Sequence, residues 1–69
     1  MININYCDEV SNETKEKLNK LAESLKKYEF SKIITTFNNE MVKHNCKLAS
    51  VNYDRGSKLE MEVIKNEFA

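Results

Sequence analysis

His44 and Cys46 stand one residue apart, and Cys7 lies far upstream. Imidazole and thiolate are soft donors, so the three could hold zinc if folding brought them together. The spacing His44-x-Cys46 matches no zinc signature, and a fourth ligand would have to be Asp8 or Glu9. The same residues would act as nucleophile and base only with a third group orienting the ring beside a cleft. A core this small leaves little room for a substrate pocket. We therefore expect a histidine at an element boundary and two semi-buried thiols, with no enzyme activity, cofactor or metal. Asp8, Glu9 and Glu13 form an acidic group at the start of a helix, where the dipole stabilises acids without any catalytic role. Phosphate-cradling loops need several glycines, and this chain has only Gly56.

The 69 residues suffice for a single domain, 1–69, with a small core. Of these residues 41% are hydrophobic and 32% charged, a globular composition. Eleven basic residues balance eleven acidic ones, so no net field steers the protein toward nucleic acid or an anionic membrane. Ten of the basic residues are lysine, and Arg55 stands alone. Readers of DNA sequence favour the arginine fork, so direct sequence-specific DNA binding is not expected. The N-terminal residues do not read as a secretory signal, and no run approaches the ~18 apolar residues that span a bilayer. These features predict a cytoplasmic protein with reduced cysteines. A Cys7–Cys46 bridge is geometrically possible if the two lie on neighbouring strands, so both states stay open at this stage.

Period-two alternation of Ile2, Ile4 and Tyr6 with Asn3 and Asn5 predicts a half-buried strand. Ser11 or Asn12 can cap the helix that follows. Thr14, Leu18, Leu21, Leu25 and Tyr28 then form one helical stripe, predicting a helix over about 11–29. Glu13–Lys17, Glu16–Lys20 and Glu23–Lys27 are i, i+4 pairs on its exposed side. The stripe fails before Lys32. Ile33, Phe37 and Met41 recur at four-residue steps and predict a second helix over about 31–44, with Ser31 as a candidate cap. The β-branched run Ile33-Ile34-Thr35-Thr36 favours a strand instead, so both readings stand at this stage.

Gly56 sits in Asp54-Arg55-Gly56-Ser57, between two runs of strand character. A two-residue loop would set Val51 against Glu60. A three-residue loop 54–56, with Gly56 left-handed in a bulge, sets Tyr53 against Ser57, Val51 against Leu59, Ala49 against Met61 and Lys47 against Val63. Only the second register turns both apolar sets the same way. It leaves Asn52 opposite Lys58, Ser50 opposite Glu60, Leu48 opposite Glu62 and Cys46 opposite Ile64 on the outer face.

The expected fold is α+β, order β-α-α-β-β, with a three-stranded, antiparallel-rich sheet packed on one or two helices. If residues 33–37 form a strand, the order becomes β-α-β-β-β. In element order that variant resembles the ribosome-hibernation-factor fold, without its final helix or basic surface, and no residue is carried over from it.

Two surfaces are candidates for binding. One is the acidic tip and outer face of the hairpin, with Asp54, Glu60, Glu62 and Glu67. The other is an apolar patch of Cys46, Leu48, Ile64 and Phe68, through which a homodimer or larger structural assembly would form. The Lys-rich first helix offers an alternative role in RNA or ribosome binding. Nine asparagines and ten lysines point to AT-rich coding. Together with the size and the neutral, charge-dense surface, this resembles the small phage-encoded inhibitors, the anti-CRISPR proteins among them. That resemblance implies a non-catalytic protein in the host cytoplasm, occluding a larger protein or nucleoprotein complex.

Overall fold

The computed structural model describes residues 2–54 and 58–66. The chain runs β1 (Ile2–Tyr6), α1 (Asn12–Leu25), α2 (Phe30–Lys43), β2 (Cys46–Asp54) and β3 (Lys58–Lys65). It is an α+β fold with the helices on one face of a mixed sheet. The strand order is β1-β3-β2: β3 is central, antiparallel to β2 and parallel to β1.

Helix α1 begins as its sequence dictates. Ser11 is the N-cap, and its Oγ accepts from the Thr14 N–H at 3.2 Å while donating to Thr14 Oγ1 at 2.9 Å. The stripe buries Thr14, Leu18, Ala22 and Leu25. The helix stops at Leu25, short of the expected 29, so Tyr28 falls in the connection and is 44% exposed. There the Lys27 and Lys32 ammonium groups lie 5.6 and 5.8 Å from its ring centre. Of the expected acid–base pairs, Glu13–Lys17 forms at 3.4 Å, whereas Glu23 meets Lys26 at 3.5 Å rather than Lys27.

Residues 33–37 are helical. Ile33, Phe37 and Met41 are all buried on one side of α2. Burial of three large side chains outweighs the modest helix penalty of the β-branched run. The helix starts at Phe30, after Glu29 as N-cap without a side-chain cap bond, so Ser31 lies inside it rather than capping it. At the far end His44 and Asn45 donate their N–H groups to Met41 and Val42 carbonyls at 3.0 and 3.2 Å. Asn45 takes φ 57°, the left-handed region that asparagine tolerates better than most residues.

The core is closed by the inner face of the sheet. Leu59, Met61 and Val63 of β3 are buried beneath the helices, with Cys46 and Val10 beside them. Ile2, Ile4 and Tyr6 pack half-buried against this cluster. Val10 lies in the polar link before α1. Its N–H bonds the Cys7 carbonyl at 3.1 Å, turning the chain so that the isopropyl group enters the core.

The hairpin register differs from the expected one. Tyr53 pairs with Leu59, Val51 with Met61, Asn52 with Glu60, Ser50 with Glu62 and Asp54 with Lys58. The shift is by two residues, so the faces of the outer half are kept. The register then breaks between Leu48 and Ser50, where Ala49 is the extra residue of a bulge. Beyond it Leu48 pairs with Val63, Lys47 with Ile64 and Cys46 with Lys65. The bulge rotates Cys46 and Leu48 onto the core face and Lys47 and Ile64 onto the outer one. The expected left-handed role of Gly56 lies outside the described residues.

Candidate binding surface

Alternation along β3 sends Leu59, Met61 and Val63 inward, and so sends Glu60 and Glu62 outward. Because β3 is central, each glutamate has a neighbour on both sides. Glu60 lies between Asn3 of β1 and Asn52 of β2, and Glu62 lies between Asn5 and Ser50. Two rows of three polar residues result, with the carboxylates in the middle column. They are about 7 Å apart along the strand, two residues at ~3.4 Å each. Both helices pack on the other face, which leaves this one open. Asn5, Ser50, Asn52, Glu60, Met61 and Glu62 line a shallow concavity of about 160 Å³ there.

The array carries negative charge at its centre and amide donors and acceptors at its flanks. At the rim the Lys58 ammonium group lies 3.5 Å from Glu60 Oε1 in an exposed pair. Such pairs contribute little, and the lysine can swing away when a better partner arrives. The chemistry suits reception of cationic side chains: the carboxylates take the charge and the amides complete the hydrogen bonding.

Of the acidic residues singled out from sequence, Glu60 and Glu62 are brought together. Asp54 lies further along the same face, with Lys58 as its ladder partner. Glu67 lies outside the described residues. The flanking Asn3, Asn5, Ser50 and Asn52 were not named as part of a site. Their outward placement follows from alternation, but their position beside the glutamates depends on β1 lying against β3.

Among the described residues the apolar patch expected on this face does not assemble. Cys46 is 3% exposed and Leu48 is packed against the core, both through the Ala49 bulge. Ile64 remains outward and half-buried, and Phe68 lies outside the described residues.

The thiols and the histidine do not converge on a centre. The Cys46 thiol donates to the His44 carbonyl at 3.4 Å, and the His44 ring lies 3.6 Å from Glu40 Oε1 on its own helix. Burial pushes the Cys46 thiol up; Lys65 opposes this and Cys7 adds to it. Cys7 and Cys46 are free; Cys7 follows the end of β1 and Cys46 begins β2, strands that lie on opposite sides of β3. Among the described residues no group of three or more His, Cys, Asp or Glu could hold a metal ion.

Tyr6 fastens the first edge of the sheet to α1. Its hydroxyl donates to Asn19 Oδ1 at 2.8 Å and lies 3.4 Å from the Lys15 carbonyl. Burial, with a smaller contribution from Cys46, pushes its pKa up to about 12. No helix among the described residues is long and apolar enough to cross a membrane. No family model, curated protein or solved structure matches the chain.

Proposed function

We propose that this chain is a non-catalytic binding protein that lays the open face of its sheet against a basic surface of a larger protein or nucleoprotein complex and acts by occlusion. The observation that supports this is the pairing of Glu60 and Glu62 on the central strand, flanked on both sides by amide or hydroxyl groups and overlaid by no helix. A sheet face with that composition has no core-forming role, so its charge is available for recognition. The mode of action is that of the small phage-encoded inhibitors, such as anti-CRISPR proteins, and its place would be the host cytoplasm. The lysines of α1 support the RNA-binding alternative less well, since they are interleaved with Glu13, Glu16 and Glu23, which leaves that face without a positive patch.

The test is capture from host lysate, identified by mass spectrometry, with wild type and Glu60→Lys/Glu62→Lys as parallel baits. Both positions are solvent-facing, so the double variant keeps the fold, which circular dichroism checks. Partners retained by wild type and lost by the double variant support the reading. An unchanged captured set refutes it.

A further inference from the structure

The hairpin outruns the helical layer. Nine residues of β2 span about 30 Å, close to the 33 Å long axis, whereas fourteen helical residues span only about 21 Å. The overhang leaves two apolar side chains on the inner face of β2 poorly covered: Val51 is 37% and Tyr53 47% exposed. Phe30, at the start of α2, reaches Tyr53 with ring centres 4.5 Å apart, yet Tyr53 stays 47% exposed. Among the described residues strand β2 is also an edge of the sheet, with β3 on one side only.

Edge strands are commonly blunted by a bulge, a lysine or an inward charge. Here the protection is uneven. Lys47 and the Ala49 bulge guard the first half of β2, whereas Ser50–Asp54 is regularly paired to β3 and carries no inward charge.

We propose that a second copy of this chain occupies that edge, β2 against β2 antiparallel, about a two-fold axis at Asn52. This register pairs all five regular residues. Val51 meets Tyr53 of the other copy on the inner face, in both directions, so the half-exposed apolar groups cover each other. On the outer face Ser50 meets Asp54 of the other copy and Asn52 meets its own counterpart, so no like charges are set directly opposite. The product is a continuous six-stranded sheet with the helices on one side and two copies of the Glu60/Glu62 array on the other. A C2 contact of this kind is self-complementary and closed, which stops the edge from propagating into a fibre.

Sedimentation equilibrium across micromolar to millimolar protein tests this. The wild-type apparent mass is expected to rise from 8.1 kDa toward twice that value, while Val51→Lys stays at 8.1 kDa with an unchanged circular dichroism spectrum. In a Cys7→Ser background, Asn52→Cys is expected under mild oxidation to form a disulfide-linked dimer that neither Cys7→Ser alone nor Cys7→Ser/Asn3→Cys forms. Wild-type mass constant at 8.1 kDa overturns the proposal. So does a dimer indifferent to Val51→Lys, or one cross-linked through position 3 rather than 52. The Glu60→Lys/Glu62→Lys variant leaves the β2 edge intact, so its dimerisation reports on this contact independently of partner capture.

Discussion

Substitution at Asn45 isolates one conformational term. The residue has φ 57°, its N–H donates to the Val42 carbonyl at 3.2 Å, and its carbonyl accepts from the Asn66 N–H at 2.7 Å. Both contacts are made by backbone atoms, so any residue other than proline can retain them. What changes is the cost of the left-handed conformation, about 1–2 kcal/mol for an ordinary L-residue, less for asparagine and absent for glycine. Glycine also raises the entropy of the unfolded chain, which offsets roughly 0.4–1 kcal/mol of the gain. The expected order of stability is therefore Gly equal to or above Asn, then Ala lower by about 0.5–1 kcal/mol, then Val lower by up to about 2 kcal/mol. With a urea m-value near ~1 kcal/mol/M for so small a domain, Asn45→Ala moves the midpoint down by about 0.5–1 M. Urea titration followed by far-UV circular dichroism measures it, with m held constant across the series. If Ala matched Asn, or Val were tolerated, the left-handed turn would not be what joins α2 to β2, and the anchoring of Asn66 to it would lose its basis.

Three further outcomes are expected. Ser11→Ala removes the acceptor for the Thr14 N–H and is expected to cost about 1 kcal/mol, read as a lower urea midpoint, while Ser11→Asp keeps most of the stability. Cys46, buried and with its thiol pushed up, is expected to react with a thiol reagent only as the protein unfolds, whereas half-buried Cys7 reacts sooner; mass spectrometry of the labelled peptides tells the two apart. Tyr6 is held near 12 in the fold against about 10 when unfolded, so its contribution to stability is complete below pH ~10 and is lost as pH rises through ~12. Alkaline denaturation should thus be shallower in Tyr6→Phe than in wild type over that window.

Much of the fold is written locally. The Ser11 cap and the stripe from Thr14 to Leu25 specify α1 without reference to the rest of the chain, whereas the spacing of Ile33, Phe37 and Met41 competes with a β-branched run and burial against the sheet decides for the helix. The hairpin was less legible because its pairing rests on two irregularities rather than one. Around Gly56 alone, two registers of the same parity satisfy the alternation, and the choice between them lies in loop geometry. The second irregularity did leave a trace in the sequence. The apolar residues of β2 occupy even positions at Cys46 and Leu48 but odd positions at Val51 and Tyr53, and a strand with one buried face cannot change parity without an extra residue. Read as a continuous strand, the first pair falls on the outer face; read with a bulge at Ala49, all four face inward.

The candidate site shows why function is harder to read than fold in a chain like this. Glu60 and Glu62 are identifiable as outward residues from alternation on β3 alone. What turns them from two solvated acids into a receptor for cationic groups is the company on either side, and that depends on β1 lying parallel to β3 rather than beside β2. Period-two patterning is blind to strand order, because Asn3 and Asn5 face outward whichever strand they join. Strand order is set by the whole chain: with α1 over β1 and α2 over β2, placing β3 between them puts its Leu59, Met61 and Val63 under the seam between the helices, where burial is deepest. The charge that defines the open face is thus positioned by the apolar residues that alternate with it, and a substitution such as Met61→Lys would remove the site by unfolding the strand that presents it.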